Sequence, residues 1–331
     1  MAAAQPDLLW TRPNWLREAN AWIREHVDVT GEIEQPHVRW WSTVLRVPTA
    51  DGVVWFKACH PSHGFEPALA LELALLRPEN VIEVLAADPD RGWMITADAG
   101  SRLRELLTSA DDLVRWEEFL PRYADVQLAA ADRAERLLEI GVPDERLAVL
   151  PEHFERVLAD HEILVVDRED GLDEGQHARL VASMPEVRRL TEDLAAFGMP
   201  ETVQHDDLHD GNVFVRDGEY LVFDWGDSCV SHPFHSLVVT LRATAWRFEL
   251  PPGDARLERM RDAYLEPFAS YGSRAELLDA FGIAYRLGTI ARSLSWYRAV
   301  LAFPEIAPDE SDSVPYGLKL FLENGPIGTW Q

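Results

Sequence analysis

Cysteine is scarce in this sequence. Its 331 residues include two cysteines, Cys59 and Cys229. Two cysteines in a chain of this length argue against a disulfide framework and for a reducing compartment. We therefore expect a cytoplasmic protein without disulfide bonds.

Long apolar runs are also lacking. No stretch reaches the roughly 18 consecutive apolar residues that a membrane-spanning helix requires. The first ten residues, MAAAQPDLLW, have neither a basic start nor a long apolar segment. We expect no signal peptide and no membrane span. The 47% of residues that are hydrophobic are instead sufficient for a sizeable core, and the length predicts about two domains.

Positive charge is in short supply. The chain has 31 Lys and Arg against 57 Asp and Glu, which gives a formal net charge of −26. The phosphates of a nucleic acid would be repelled by such a surface, so nucleic acid is not an expected partner. The acidity is compatible with a cationic small-molecule substrate, although acidity this general mainly favours solubility.

The most informative segment spans residues 203–227, VQHDDLHDGNVFVRDGEYLVFDWGD. Within it, the dipeptide Asp217-Gly218 separates two short apolar runs. Asp-Gly in this position predicts a two-residue hairpin turn. With that turn, Arg216 faces Glu219 across the paired strands.

The same register determines which polar residues meet at the open end of the hairpin. Val213 faces Val222, and the chain then continues to Asn212 on one side and Asp224 on the other. Facing positions on paired strands are about 5 Å apart at Cβ. With Asp207 on the loop just before the hairpin, these side chains form a cluster of hard oxygen ligands. Magnesium takes such ligands when it also holds the phosphates of a nucleotide.

Two motifs in this segment resemble a known family. HDDLHDGN at 205–212 and DWG at 224–226 are similar to the catalytic core of the aminoglycoside phosphotransferase family, small-molecule kinases of the protein-kinase fold. The resemblance implies that Asp207 is the catalytic aspartate beside the acceptor hydroxyl. It also implies that Asn212 and Asp224 are ligands of Mg²⁺.

The chain departs from the family pattern at two positions. Asp206 stands where the family usually has glycine, and Ser236 stands before Leu237 where an acidic residue is usual. Neither difference removes a catalytic atom.

The resemblance also assigns roles near the N-terminus. A glycine-rich G-x-G-x-x-G loop is lacking, so Ser42 and Thr43, with nearby backbone amides, are the expected donors to nucleotide phosphates. Lys57 follows an apolar strand at the position where the family's third strand carries its phosphate-binding lysine. A helix predicted at 65–76 follows, and we expect its Glu72, rather than Glu66, to pair with Lys57 because a buried carboxylate requires a partner.

A further strand leads to the expected connection between two lobes. Backbone groups from Thr96 to Asp98 lie where a kinase hinge would contact an adenine. We place the boundary here, with a nucleotide-binding lobe at 1–97 and a catalytic and acceptor-binding lobe at 98–331. Strands first and helices later indicate an α+β fold. The resemblance implies that this is the bilobal protein-kinase-like fold, with a small antiparallel-sheet lobe and a larger, mainly helical lobe.

The expected activity is phosphorylation of a small-molecule hydroxyl with ATP or GTP as phosphoryl donor and Mg²⁺ as cofactor. Aminoglycosides, other antibiotics, amino sugars, choline-like amines and amino alcohols are all candidate acceptors. Three residues near the C-terminus are candidates for the acceptor pocket: Arg292, Trp296 and Arg298. Core packing is the commoner reason for aromatic residues at helical spacing.

Two other functional classes are open at this point. His205, Asp206 and His209 could bind a transition metal in a phosphohydrolase. Such an enzyme needs further histidines spaced along helices, and the next ones, His232 and His235, lie beyond the hairpin. A kinase-like module that binds nucleotide without catalysis is the other. Retention of Lys57 and Asp207 with both metal ligands argues against it, because binding alone does not require the complete set.

Overall fold

The computed structural model describes residues 8–303 and 312–324. Its strands are β1 (Glu34–Val38), β2 (Ser42–Thr49), β3 (Gly52–Cys59), β4 (Val84–Asp88), β5 (Trp93–Ala97), β6 (Ser101–Arg102), β7 (Thr202–Gln204), β8 (Val213–Arg216), β9 (Glu219–Val222) and β10 (Cys229–Ser231). Its helices are α1 (Pro13–His26), α2 (Glu66–Leu76), α3 (Leu103–Leu106), α4 (Val114–Ala130), α5 (Ala134–Glu139), α6 (Leu150–Leu158), α7 (Glu174–Ala182), α8 (Met184–Ala195), α9 (Leu237–Arg247), α10 (Ala255–Leu265), α11 (Arg274–Ala302) and α12 (Ser313–Glu323).

The N-terminal part is built on a five-stranded antiparallel sheet in the order β1-β2-β3-β5-β4. Helix α1 begins at Pro13, whose fixed φ and missing N–H suit a first helical position. It buries Trp15 and Trp22 against the sheet residues Phe56 and Trp93, with ring centroids 5.7–6.3 Å apart. This aromatic layer fixes β3, the central strand that carries Lys57.

The C-terminal part is mainly helical, and α11 is its longest helix. Ser273 starts α11 with a capping box: its hydroxyl accepts from the Glu276 N–H at 3.3 Å, and the Glu276 carboxylate accepts from the Ser273 N–H at 2.8 Å. Along its length α11 packs against α6, α8, α9 and α12. Because it is anchored on so many sides, side chains from its second half are held firmly beside the catalytic loop.

Two small sheets position the segment at 203–227. Strands β8 and β9 pair in the predicted register, with Val213 opposite Val222. Asp217 and Gly218 form the turn with φ values of 53° and 85°, the left-handed region that Asp tolerates and Gly adopts freely. Strand β7 pairs with β10, so the loop after β7 and the loop after β9 leave the small sheets close together.

The predicted α+β class is confirmed, with an antiparallel sheet first and helices later. The large sheet ends at Ala97, and the division into lobes at 1–97 and 98–331 stays a prediction. Among helices in the described ranges, none has both the length and the hydrophobicity needed to cross a bilayer.

Candidate functional site

The loop after β7 carries Asp207 and closes on itself through Asn212. The Asn212 amide Nδ2 donates to the backbone oxygen of Asp207 at 3.0 Å and lies 3.4 Å from its carboxylate Oδ2. Because Nδ2 is turned inward, the carbonyl oxygen of Asn212 is the atom left to serve as a ligand. His205 is fully buried and bonds the backbone oxygen of Phe223 through Nε2 at 2.8 Å. This contact ties the loop after β7 to the loop after β9.

Asp224 follows β9 in a left-handed conformation, with φ of 67° and ψ of 58°. Its Oδ1 accepts from Lys57 Nζ at 2.5 Å. Burial alone would raise the pKa of Asp224, but the neighbouring ammonium outweighs burial and holds the pKa below its ordinary value. The carboxylate is therefore ionised at neutral pH and suited to a cation.

The predicted Lys57–Glu72 pair is wrong. Lys57 Nζ instead donates to Glu66 Oε1 at 2.6 Å, and both side chains are almost completely buried. Glu72 lies on another face of α2 and pairs with Arg136 at 3.0 Å. Helical geometry explains the difference, since six residues rotate Glu72 about 120° away from Glu66. Glu66, unlike Glu72, shares the buried face of α2 with Leu69.

We expect Glu66→Gln to weaken Mg-ATP affinity by about 10- to 100-fold, because a buried hydrogen bond to a charged group contributes about 1.5–3 kcal/mol. Glu72→Gln on the same helix is the matched control. It should change affinity by less than about threefold, since its pair with Arg136 is half exposed and such pairs contribute little. Calorimetric titration of both variants measures the difference. Equal effects of the two substitutions would contradict the Glu66 assignment.

A cavity of about 180 Å³ collects these groups. Lys57, Asp207, Asn212 and Asp224 line it, together with Glu66. Gly226 of the DWG motif lets α2 approach, since a Cβ there would stand 3.1 Å from Glu66 Oε2. Residues up to 167 apart in sequence thus converge on one cavity.

The structure separates the two hydroxyls expected near phosphates. Ser42 lines the cavity. Thr43 does not, because its side chain is buried on the other side of β2. There its hydroxyl donates to the His37 backbone oxygen at 2.8 Å and accepts from Gln35 Nε2 at 2.9 Å. Thr43 therefore holds β1 against β2, and its predicted role as a phosphate donor is not supported.

The two residues expected at the adenine edge lie outside this cavity. Thr96 is buried in the sheet, paired with Trp55 on one side and Val84 on the other. The Asp98 carboxylate accepts from Trp55 Nε1 at 2.9 Å, and its backbone oxygen accepts from Arg216 Nη1 at 2.6 Å. Arg216 thereby links the end of β5 to the hairpin. Contact of Thr96 and Asp98 with a nucleotide stays a prediction.

Arg292 of α11 contacts the catalytic loop directly. Its Nη2 donates to Asp207 Oδ1 at 2.9 Å and its Nη1 to the Asp206 backbone oxygen at 3.0 Å. Burial raises the pKa of Asp207 above its ordinary value, and Arg292 partly offsets that rise. The guanidinium also fixes the carboxylate, leaving Oδ2 near Asn212 and 3.5 Å from His209 Nε2.

Asp206 is a second carboxylate beside Arg292. It is 2% exposed, its Oδ1 accepts from Gln204 Nε2 at 2.7 Å, and its Oδ2 lies 3.8 Å from Arg292 Nη1. Burial raises its pKa to about 7, although Arg292 and Gln204 act in the opposite direction. Asp206 therefore points into the protein and supports the loop from behind, whereas Asp207 faces the cavity.

Asp206→Asn should make stability less dependent on pH. Between about pH 4 and 7 the folded wild type retains the Asp206 proton while the unfolded chain has released it, so rising pH favours unfolding by up to about 1.4 kcal/mol per pH unit. The asparagine variant lacks this pH-dependent loss of stability. Its melting temperature should therefore rise relative to that of the wild type as the pH increases from about 5.5 to 8. Calorimetry across that range tests it, with the exposed Asp217→Asn as control. A constant difference between variant and wild type would contradict the buried, protonated carboxyl.

Two of the three residues predicted for the acceptor pocket line the cavity, and the third does not. Arg292 and Trp296 line the cavity. Arg298 does not; it forms an ion pair with the buried Glu145 and donates to the Asp227 backbone oxygen at 3.3 Å. Its direction on α11 differs from that of Arg292 because six residues separate them. Arg298 is thus a support beneath the site, and its predicted pocket role is not supported.

In the part of the chain that the structure describes, the histidines considered as transition-metal ligands do not form a metal site. His232 and His235 are buried together, and burial lowers the pKa of His235 to about 3. Over residues 8–303 and 312–324, no group of three or more His, Cys, Asp or Glu side chains could hold a metal ion. The metal-dependent phosphohydrolase hypothesis therefore has no histidine-rich site among these residues.

One family model matches more than half of the chain. The model of the family described as "Phosphotransferase enzyme family" (APH) matches residues 77–277, well over half of the chain. No curated protein matches in sequence.

Many solved structures share the fold. Choline kinase from Cryptosporidium parvum Iowa II is 11% identical, with a TM-score of 0.62 over 93% of this chain and 95% of that one. Macrolide 2'-phosphotransferase MphH from Brachybacterium faecium is 16% identical, with a TM-score of 0.56 over 90% and 97%. Amicoumacin kinase hAmiN, in complex with AMP-PNP, Ca²⁺ and Ami, is 13% identical, with a TM-score of 0.56 over 95% of each chain.

At these identities the solved structures establish the protein-kinase-like fold, and the family model establishes the family. The chain therefore belongs to the phosphotransferase enzyme family and is an ATP-binding small-molecule kinase with an alcohol group as acceptor.

Proposed function

We propose that Asp207, Asn212, Asp224 and Lys57 together carry out Mg²⁺-dependent transfer of the γ-phosphoryl group of ATP, or of GTP, to a hydroxyl of a small molecule. The observation that supports this most directly is their convergence on one cavity. The site would lie between the lobes proposed at 1–97 and 98–331. Phosphoryl transfer relies mainly on placement and electrostatics, which such a convergence provides.

The donor set fits magnesium. The Asn212 amide oxygen and the Asp224 carboxylate are hard oxygen ligands, and the depressed pKa of Asp224 keeps its charge available. We assign Asn212 and Asp224 as the residues that hold Mg²⁺. When bound, the ion would neutralise charge on the nucleotide phosphates.

Lys57 supplies the fixed cation of the donor side. Asp224 and Glu66 raise its pKa against the effect of burial, so the ammonium remains charged. Its salt bridges with both carboxylates hold Nζ at the cavity wall, where it orients phosphate oxygens. Ser42 and the backbone beside it contribute further donors.

Asp207 is the general base that acts on the acceptor hydroxyl. Its Oδ2 receives the proton of the hydroxyl while the hydroxyl oxygen bonds to the γ-phosphorus. The bond from that phosphorus to the β–γ bridging oxygen breaks, giving a nucleoside diphosphate and a phosphate monoester. Arg292 holds the other carboxylate oxygen at 2.9 Å and so orients Oδ2 toward the reacting group.

The solved relatives guide the choice of acceptors to test. These relatives are a choline kinase, a macrolide 2'-phosphotransferase and an amicoumacin kinase. The amicoumacin kinase is in complex with AMP-PNP, an ATP analogue. A screen of small hydroxyl compounds with ATP and with GTP, monitored by nucleoside diphosphate release, tests the proposal. A phosphate monoester formed only with Mg²⁺ present supports it. Nucleotide binding without turnover on any acceptor would instead favour a non-catalytic module.

A further inference from the structure

His209 lies two residues after Asp207 and lines the same cavity. Its side chain is 27% exposed, and its Nε2 atom stands 3.5 Å from Asp207 Oδ2, the oxygen to which we assign the hydroxyl proton. That distance exceeds the usual N–H···O length of about 2.7–3.2 Å. Two polar atoms of the cavity lining therefore stand side by side without a close hydrogen bond between them.

The other ring nitrogen of His209 is a hydrogen-bond acceptor. Nδ1 accepts from the Gly211 backbone N–H at 2.9 Å. The Arg104 guanidinium Nη2, which can only donate, lies 3.3 Å from the same Nδ1. A proton on Nδ1 would point at both of these donors. The neutral ring therefore carries its proton on Nε2, beside Asp207.

Two features hold the His209 ring in this orientation. Arg104 is itself fixed, because its Nε and Nη2 donate to Asp210 Oδ1 at 3.2 and 3.0 Å. Gly211 leaves the space that the ring and the guanidinium occupy, since a Cβ there would stand 2.7 Å from His209 Cε1 and 2.5 Å from Arg104 Nη2. The direction of the Nε2–H bond is thus set by the backbone of the loop and by Arg104.

A hydroxyl group fits against both Nε2 of His209 and Oδ2 of Asp207. An O–H···O bond is about 2.7 Å long and an N–H···O bond about 2.9 Å. Their sum exceeds the 3.5 Å between the two protein atoms, so one oxygen can bond both of them. Such an oxygen donates its proton to Asp207 and accepts from His209, which leaves its second lone pair for another atom.

We propose that His209 is a further catalytic residue, which donates its Nε2–H to the oxygen of the reacting acceptor hydroxyl. This inference rests on the proposed phosphotransfer and adds a contact to its acceptor. The hydroxyl proton passes to Asp207 Oδ2, and the lone pair not bonded to His209 forms the bond to the γ-phosphorus. The bond from that phosphorus to the β–γ bridging oxygen breaks, and its electron pair stays on the bridging oxygen. His209 keeps its own proton throughout.

The His209 donor stabilises the transition state more than the ground state. Negative charge builds on the hydroxyl oxygen as its proton leaves, and a hydrogen bond to a charged oxygen is stronger than one to a neutral oxygen. Donors aimed at a full oxyanion contribute about 10²–10³-fold to kcat. Because the new bond to phosphorus draws charge from this oxygen, we expect a contribution of about 10- to 100-fold.

Two substitutions separate the N–H donor from the rest of the ring. His209→Gln places an amide N–H near the position of Nε2, and that amide neither gains nor loses a proton in catalysis. His209→Leu fills the space without a donor. The acceptor is the one with the highest turnover in a screen of choline, ethanolamine, kanamycin, erythromycin and glucose.

With that acceptor, His209→Leu should lower kcat by about 10- to 100-fold and His209→Gln by less than about fivefold. Mg-ATP affinity, measured by calorimetry, should stay within about threefold of wild type in both. His26→Gln, at the exposed end of α1, is the matched control and should leave both quantities unchanged. Melting temperatures show whether each variant folds.

The position of the ring proton is measured without an acceptor. Long-range proton–nitrogen correlation NMR distinguishes a histidine protonated at Nε2 from one protonated at Nδ1. The His209 signals are identified in the wild type by their loss in His209→Gln. The expected result is a proton on Nε2 and none on Nδ1.

Four results would overturn the inference. They are a proton on Nδ1, a rate in His209→Leu within about threefold of wild type, a folded His209→Gln as slow as His209→Leu, and loss of Mg-ATP affinity in His209→Leu. The last would place the contact on the nucleotide instead of the acceptor. In each case a wild type that phosphorylates an acceptor leaves the proposed function standing. A wild type that phosphorylates none of the screened acceptors counts against the proposed function itself, and this inference falls with it.

Discussion

Asp207→Asn is expected to lower the single-turnover rate of phosphoryl transfer by about 10²–10⁴-fold, the usual contribution of a positioned general base. Asparagine keeps the shape, and its amide oxygen can still accept from Arg292, which bonds Asp207 Oδ1 at 2.9 Å. It cannot accept the hydroxyl proton. Mg-ATP affinity should stay within about threefold, because Asp207 is not one of the proposed metal ligands.

The measurement is paired: rapid-quench single turnover with an identified acceptor, and calorimetric titration with Mg-ATP. Asp217→Asn is the matched control, since Asp217 is exposed in the hairpin turn and asparagine also tolerates its left-handed conformation. A rate that survives in Asp207→Asn would remove Asp207 as the base. Loss of metal affinity together with activity would identify Asp207 as a ligand.

Asp224→Ala is expected to weaken Mg²⁺-dependent ATP binding by about 100-fold or more. Indirect support of a metal ligand already contributes 10–100-fold in typical sites, and a direct carboxylate should exceed that range. The loss should disappear when ATP is titrated without magnesium, because Lys57 keeps its salt bridge to Glu66 at 2.6 Å. Calorimetry in magnesium and in chelator measures both conditions.

Alanine at position 224 also introduces backbone strain, since φ there is 67° and the left-handed conformation costs alanine about 1–2 kcal/mol. Asp224→Asn avoids this strain, because asparagine adopts that conformation more readily, and it removes only the charge. Both variants should lose magnesium-dependent binding. Retained affinity and stoichiometry in Asp224→Asn would exclude the Asp224 carboxylate from the metal site.

Local sequence was sufficient wherever an interaction spans few residues. The Asp-Gly turn dictated the register of β8 and β9, because turn chemistry and side-chain alternation allow few other pairings. Asn212 bonds the Asp207 backbone within the same loop, five residues away. Lys57 was recognisable because it follows the apolar run at 53–56, where the family that the sequence resembles carries its phosphate-binding lysine.

The errors occurred where a side chain's direction depends on distant packing. Glu66 and Glu72 lie on different faces of α2, and the placement of α2 against β3 brings Glu66, and not Glu72, to Lys57. Helical rotation could have favoured Glu66, which shares its face with Leu69. Thr43 points away from the cavity because Ser42 beside it faces in, as alternation along a strand requires.

The sequence by itself determined the α+β class, the hairpin and the positions of Asp207, Asn212 and Asp224, because motif spacing and strand alternation act over short stretches of chain. Tertiary structure alone decided that Arg292, 85 residues from Asp207, holds that carboxylate, and that Arg298 turns instead to Glu145. It also decided that Arg242 and Tyr316 meet beside Trp296. Such contacts depend on how α9, α11 and α12 pack, and helical periodicity gives each residue a direction but not the neighbour it will meet.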